Sequence, residues 1–409
     1  MANVNDKIIC EICGAKIDAV AIHIKKDHPE ITEQQYAQKY PSAPLMSEYV
    51  KEMLEKRKLE KLEKERAAKA EAQKQEEQAA AKAKEPEQDT SVELLAKSKK
   101  DVIEQRPLHV VFDINSPSAK NSKGAAIPVS CIGNSSFADL VPEVNNTYVY
   151  DMDVLKNVLL ALELQINPYV WGHKGCGKSE LFEQIAARTG RPFVRVQHTA
   201  NTEESHIVGM WTVKGGQTIF ELGPLALAMQ HGWVYLADEY DFALPSVLSV
   251  YQAVLEGKPL MIKEADSENR VIKPHPNFRF VATGNTNGTG DDTGLYQGTN
   301  LQNSANYDRF GMVVKKNYMP KAAEVDMLMR RVGLIEPDAT KLVEFASLVR
   351  DAYDGSKISD TISPRSLIDA GTIAKYRHDF KESLRLAFTN KLARTDSEIV
   401  EGLAQRVFG

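Results

Sequence analysis

In the middle of the chain, residues Gly172, His173, Lys174, Gly175, Cys176, Gly177, Lys178, Ser179 and Glu180 follow the spacing G-x-x-x-x-G-K-[ST]. That spacing suits a polyphosphate. Glycines let the backbone wrap closely around phosphates, and the amides together with the start of a following helix supply positive potential. Lys178 is placed to reach the β and γ phosphates and Ser179 to ligate Mg2+, so ATP and Mg2+ are the expected ligands of the whole stretch 172–180. Cys176 inside the loop is read as a small side chain at a variable position.

Two further groups fit the same chemistry. The apolar run "GWVYLADEY" ends in Asp238 and Glu239, and a parallel sheet places its reactive groups at the carboxyl ends of its strands. Asp238 is expected to hold the magnesium shell and Glu239 to polarise an attacking water. The run "FRFVATGN" ends in Asn285, a neutral group able to orient that water.

At the front of the chain stands a different donor set, Cys10-x2-Cys13-x9-His23-x4-His28. Thiolates and imidazoles in pairs suit tetrahedral Zn2+, and a segment of about 45 residues buries too little core to fold without such a staple. Lys7, Lys16, Lys25 and Lys26 offer a basic face, diluted by Asp18, Asp27, Glu30 and Glu33. Both a protein partner and DNA therefore stay open as what this segment binds.

Composition limits the alternatives. With 409 residues, 43% of them apolar, the chain can bury a large core and hold several structural units. Four cysteines are too few for a disulfide framework at this length, which leaves Cys10 and Cys13 free for metal. A net charge of −5 argues against wholesale coating of nucleic acid. No run approaches the roughly 18–20 apolar residues that span a bilayer, so no membrane contact and a cytoplasmic location are expected.

The elements that must position these groups follow from pattern. "YVW", "FVRVQ", "WVYLAD", "FRFVATGN" and "MVVKKNYM" read as strands, alternating with helical segments such as "SELFEQIAARTG" and "SVLSVYQAVLEG". Such alternation predicts an α/β fold, a parallel sheet sandwiched by helices. Five segments emerge: a zinc-finger-like module over 1–45, a charged helical linker over 46–105, a β-rich lead-in over 106–149 ("HVVFDI", "AAIPVSCIG", "LVPEVNNTYVYD"), the α/β core over 150–330 and an all-helical lid over 331–409. The linker is almost all Glu, Lys, Arg, Gln and Ala, with Glu52 and Lys56 in the favourable i,i+4 order. "WTV" and "TIF" around Gly215 and Gly216 predict a hairpin, with Trp211 and Lys214 as contact or packing residues. His198 and His206 are read as ordinary polar positions.

The order of phosphate loop, Asp-Glu strand, Asn strand, "DRF" and "SPR" resembles the AAA+ ATPases. Over about 140–409 the chain is similar to the cobaltochelatase small ATPase subunits of the CobS type, in the MoxR and magnesium-chelatase branch. The similar pieces include "GHKGCGKSELFEQIAARTGRPFVRVQ", "DEYDFALPSVLSVYQAVLEG", "ISPRSL" and "AQRVFG". The resemblance implies an AAA+ P-loop core with a helical lid, assembled as a homo-oligomeric ring, commonly a hexamer. It implies Arg309 of "YDRF" as a finger reaching a neighbour's ATP and Arg365 of "ISPRSL" as a lid arginine contacting nucleotide in its own subunit. It also implies remodelling of a client and a von Willebrand-type adaptor with a metal site. The front segment resembles a Ros/MucR-type finger and is foreign to the chelatase pattern. Beside a client-remodelling ATPase, two readings stay open: a cobaltochelatase subunit driving metal insertion into a corrinoid, and a DNA-associated regulator with a nucleotide switch.

Overall fold

Along the central strands large apolar residues alternate with smaller ones, Tyr169 with Val170, Tyr235 with Leu236, Phe280 with Val281, and all are buried. A strand apolar on both faces needs a layer on each side, and period-2 alternation sends its side chains into separate cores. The computed structural model describes residues 7–53, 56, 102–133, 135–291, 295–296 and 298–409. They fall into two units, Met1–Gln88 and Asp89–Gly409.

In the first unit, strands β1 (Ile8–Ile9) and β2 (Lys16–Ile17) pair antiparallel, followed by helices α1 (Val20–Asp27) and α2 (Glu33–Lys39). Thr32 and Gln35 form a reciprocal capping box that starts α2. The core is small, Cys10, Ile17, Val20, Ile24 and Tyr36, which is little apolar area to hold a fold together. Of the charged linker expected to be helical over 46–105, residues 57–101 lie outside the described residues, and 103–105 form a strand instead, where they pair with 130–132.

The second unit opens with β3 (Ile103–Pro107) paired antiparallel to β4 (Pro128–Ile132). "HVVFDI", expected as extended, instead makes a helical turn over Leu108–Val111. Leu108 and Phe112, one helical turn apart, are both buried, and the Phe112 amide donates to the Leu108 carbonyl at 3.0 Å. "LVPEVNNTYVYD" forms no strand; it runs past the phosphate loop and delivers Tyr148 and Val149 to it. Helix α3 (Met152–Glu163) then begins on Asp151, whose carboxylate accepts from two backbone amides of the first turn.

The main sheet contains β5 (Pro168–Trp171), β6 (Phe193–Gln197), β9 (Val234–Asp238), β12 (Arg279–Gly284) and β13 (Met312–Lys315), all parallel in the order β13-β5-β12-β9-β6. Helices α3 and α4 (Lys178–Thr189) cover one face through Leu155, Leu181, Phe182 and Ile185. The other face meets helix α5 (Pro224–His231) and the short helical turns of 245–255 around Tyr235, Tyr251 and Phe280. Between β6 and β9 stands the hairpin of β7 (Gly209–Lys214) and β8 (Gln217–Leu222), turned on Gly215 and Gly216 at φ 58° and 80°. Both values lie in the left-handed region that a tight I′ turn requires. Strands β10 (Leu260–Met261) and β11 (Val271–Ile272) form a second small ribbon.

Five helices complete the unit: α6 (Lys321–Val332), α7 (Glu336–Asp354), α8 (Pro364–Arg377), α9 (Phe380–Ala387) and α10 (Arg394–Phe408). Their common core includes Met327, Leu328 and Val332 of α6, so the helical layer begins ten residues before the expected boundary, at 321 rather than 331. Pro320 immediately before α6 marks that start in the sequence. Inside the layer Glu324, fully buried, takes a parallel fork from Arg350, Nη1 to Oε2 and Nη2 to Oε1 at 2.8 Å each.

Candidate functional site

The carboxyl ends of β5, β9 and β12 lie side by side, and each hands a functional group to one cleft of about 600 Å3. From β5 comes the phosphate loop. An added Cβ at Gly172 would stand 2.1 Å from the Lys316 carbonyl oxygen, and one at Gly175 would stand 2.6 Å from Cβ of Ser363. The loop therefore passes closer to β13 and to the first turn of α8 than any side chain permits. Gly177, at φ 80°, ends the loop and α4 begins on Lys178.

Lys178 is buried, and its Nζ donates to the carbonyls of Gly172 (2.7 Å) and His173 (3.1 Å) and to Oδ1 of Asn285 (2.9 Å). Burial pulls its pKa below that of an ordinary lysine, while Asp241, Asp238 and Glu239 nearby favour the charged form. Ser179 Oγ donates to Asp238 Oδ1 at 2.6 Å, and Thr283 Oγ1 donates to the same oxygen. Asp238 Oδ2 takes Nε of Arg195 at 2.7 Å and its Nη2 at 2.5 Å, and Arg195 Nη1 reaches Glu183 at 3.2 Å. Burial raises the pKa of Glu183, an effect partly offset by Arg195. Glu239 has φ 53°, an uncommon backbone for a residue with a side chain, and accepts from Gln197 Nε2 at 2.9 Å.

Asp241 fixes the Asn285 loop from below. Its Oδ2 accepts from the amides of Asn285 (2.9 Å) and Thr286 (2.8 Å) and from Thr286 Oγ1 (2.9 Å). Desolvation raises its pKa, and these donors pull it back. Tyr169 donates its hydroxyl to the Thr286 carbonyl at 3.0 Å, so the loop is held from both the strand layer and the acid.

The cleft gathers Lys174 through Glu180, Asp238, Glu239, Asn285 and Arg365 from among the residues singled out in the sequence. Arg365 enters from the first turn of α8, and Tyr148, Val149, Met319, Met327 and Ile368 give the cleft an apolar end. Arg309 does not line it. Its Nε and Nη2 donate to Glu256 Oε1 at 2.8 and 2.6 Å, and its Nη1 to the Ala305 carbonyl at 2.5 Å. The side chain of His173 is also absent from the cleft, contrary to its reading with the loop. It stacks on Tyr318 at 5.8 Å and pairs with the Tyr296 hydroxyl at 3.1 Å, aromatic contacts that hold it away from the cleft. Gly172 likewise sits behind the cleft, its carbonyl engaged by Lys178.

The histidines read as ordinary polar positions differ from each other. His198 is buried, bonded to the Asp238 carbonyl at 3.0 Å and the Tyr251 hydroxyl at 2.9 Å, and so props the end of β9. His206 closes the cap of the short helix Glu204–Val208. Trp211 is 55% exposed on the hairpin, edge-on to Phe220, with Val213 exposed beside it.

In the first unit the donor atoms of Cys10, Cys13, His23 and His28 all lie within 4.8 Å of one another. Cys13 Sγ is 3.2 Å from His23 Nε2, and Asp27 meets His23 Nδ1 at 2.9 Å. A carboxylate on Nδ1 fixes the tautomer whose Nε2 is free to ligate. Nε2 of His28 is buried with no hydrogen-bond partner, an orphan that a cation would satisfy. Donor set and second contacts both fit tetrahedral Zn2+.

Comparison with known proteins decides the family. Residues 169–310 match the AAA domain of the dynein-related subfamily, and residues 324–408 match the CbbQ/NirQ/NorQ C-terminal domain. The chain is 35% identical over 280 residues to the aerobic cobaltochelatase subunit CobS of a Sinorhizobium species, covering 66% of this chain and 83% of that protein. This chain belongs to the CobS family of AAA+ ATPases. Protein NorQ of Paracoccus denitrificans is 25% identical over 241 residues, 58% of this chain and 85% of NorQ. Protein CbbQ of Hydrogenophilus thermoluteolus is 25% identical over 202 residues, 49% of this chain and 72% of CbbQ. Like them it falls in the MoxR-like branch, and as a AAA+ enzyme it hydrolyses ATP. All three alignments are shorter than the second unit, and among the described residues no helix is long and apolar enough to cross a membrane.

Four groups in or behind this CobS-type cleft escaped the sequence reading: Arg195 and Arg331, which line it, and Gln197 and Asp241, which hold Glu239 and the Asn285 loop; Arg331 stands 3.8 Å from Glu180. Arg195 and Gln197 left a usable signal, polar residues two apart in a strand whose other positions are Phe193, Val194 and Val196. A strand with one polar stripe at its carboxyl end, next to a strand ending in acids, is a pointer to the site. Asp241 and Arg331 left none.

Proposed function

We propose that this protein is the motor of a client-remodelling assembly, in which ATP is cleaved at seams between copies of the chain. One observation carries this: Lys178, Ser179, Asp238, Glu239, Asn285 and Arg365 share a cleft, while Arg309 lies outside it on a half-exposed edge. An arginine held on Glu256 away from its own cleft is available to a neighbour's, which would make turnover depend on that neighbour.

Within one copy, Lys178 holds the β and γ phosphates. Ser179 and Asp238 would hold Mg2+, which would supply charge neutralisation for the transferred phosphoryl group. Glu239 takes the proton of the attacking water, Asn285 aligns that water, and Arg365 ties the lid to the nucleotide. The adenine occupies the apolar end formed by Tyr148, Val149 and Met327. A ring, six copies in the simplest case, follows from the trans arginine. The zinc-held front unit recruits a partner, and a protein is favoured over DNA by its mixed surface charge. Metal insertion into a corrinoid is the narrower form of this function, in keeping with the name of the CobS relative. A von Willebrand-type adaptor would then join the assembly.

Mixing two dead variants tests the seam. Arg309→Ala and Lys178→Ala are each inactive alone, and together recover turnover because each supplies the half that the other lacks. No recovery at any ratio removes the shared interface.

A further inference from the structure

The Asp238 carboxylate is fully engaged by the chain itself. Oδ1 receives Ser179 and Thr283, and Oδ2 receives two nitrogens of Arg195. Arg195 stands on β6 opposite Leu236, two residues before Gln197, which is opposite Asp238. It thus reaches along the sheet surface beneath α4 to tie Asp238 and Glu183 together, with 43% of its side chain exposed toward the cleft. Its positive charge sits on the oxygen next to the one that Ser179 holds, near enough to repel a free divalent cation there.

We propose that Arg195 is the counter-ion that makes divalent metal binding at Ser179 and Asp238 conditional on the polyphosphate. This rests on the reading of those two residues as the Mg2+ holders. Without nucleotide, a cation must displace hydrogen bonds from Asp238 and approach a guanidinium, and nothing compensates it. A triphosphate brings its own negative charge and its own oxygens, so the cation enters with the nucleotide and the arginine needs only to keep Oδ2, leaving Oδ1 turned toward Ser179. Arg195 is a positioning residue; it acts through Asp238. In its absence Asp238 and Glu183 lose their shared cation and present an uncompensated acidic pair.

The test is Mn2+ binding to full-length, zinc-replete protein, followed by electron paramagnetic resonance with and without a non-hydrolysable ATP analogue. Wild type is expected to bind free Mn2+ weakly and to bind it tightly with the analogue. Arg195→Met is expected to bind free Mn2+ at least about tenfold tighter than wild type, about 1.4 kcal/mol, and Arg195→Met/Asp238→Asn to lose that gain. No gain in Arg195→Met, or a gain that survives loss of Asp238, overturns the inference. Should Arg195→Met fail to fold, wild type and Arg195→Lys decide. Tight free Mn2+ binding by wild type, dependent on Asp238, overturns it, and an intermediate gain in the lysine variant supports it. The underlying reading fails separately, if analogue-dependent Mn2+ binding by wild type is indifferent to Asp238→Asn.

Discussion

The second unit buries a carboxylate against an arginine twice, and the two pairs are built differently. In the helical lid Arg350 gives Glu324 a parallel fork, one nitrogen to each oxygen, while its Nε donates to the Ile362 carbonyl and its face lies 4.1 Å from the Tyr318 ring. Each carboxylate oxygen of Glu324, which is fully buried, is thereby taken by one nitrogen. At the cleft Arg195 spends two nitrogens on one oxygen of Asp238 and leaves the other to hydroxyls. The lid arginine is 15% exposed and the cleft arginine 43%. The enclosed fork fixes helices α6 and α7 together; the one-sided contact keeps an acid aimed while leaving it exchangeable. Burial of an ion pair therefore says little by itself, and which oxygens are taken separates structural from working pairs.

The sharpest way to break this comparison is to remove each cation. Arg350→Met leaves Glu324 charged and sealed, and is expected to cost about 3–5 kcal/mol in urea unfolding. Arg195→Met is expected to cost less, since Asp238, though only 2% exposed, keeps the Ser179 and Thr283 hydroxyls on Oδ1. Equal losses would erase the distinction.

A smaller effect separates both pairs from a buried group that has no partner at all. His231 packs on Phe137 and Trp233 with neither ring nitrogen hydrogen-bonded, and burial holds its pKa down to about 4. A depressed histidine pKa means that the unfolded chain binds the proton first. Stability is then complete above about 6.5 and is lost as pH falls toward 4, by up to about 3 kcal/mol. Unfolding midpoints measured across that window should flatten in His231→Phe. An unchanged acid branch would assign the loss to other groups.

The smallest expected change is at the cleft. Gln197 occupies one oxygen of Glu239 and draws it toward β6. Gln197→Ala should raise turnover at saturating ATP about two- to fivefold, the worth of one such hydrogen bond. A fall would mean that Gln197 aims the acid rather than restraining it.

Much of this arrangement was legible in the sequence because it rests on local order. Loop 172–180 needs its glycines at fixed spacing, the five strands alternate with helices, and Gly215-Gly216 can hardly be anything but a turn. What escaped depends on contacts between distant segments. Arg195 and Asp238 are 43 residues apart, and Arg309 and Glu256 are 53 apart; no local period ties them. "HVVFDI" misled for a related reason. Its β-branched residues favour a strand in isolation, yet burial of Leu108 and Phe112 against α3 and α4 outweighs that preference. The lid boundary slipped because α6 carries exposed charge on most of its surface, and only its packing against α7 assigns it to the helical layer.

Gly284, the last residue of β12, has no room above it: an added Cβ would lie 1.7 Å from the Tyr169 hydroxyl oxygen. That hydroxyl carries the Thr286 carbonyl, one residue beyond Asn285. The aromatic layer beneath the sheet thus sets the height of the loop whose Asn285 amide meets Lys178. A methyl group introduced in the floor would therefore push Tyr169 off the Thr286 carbonyl and be felt both in the core and in the loop that carries Asn285.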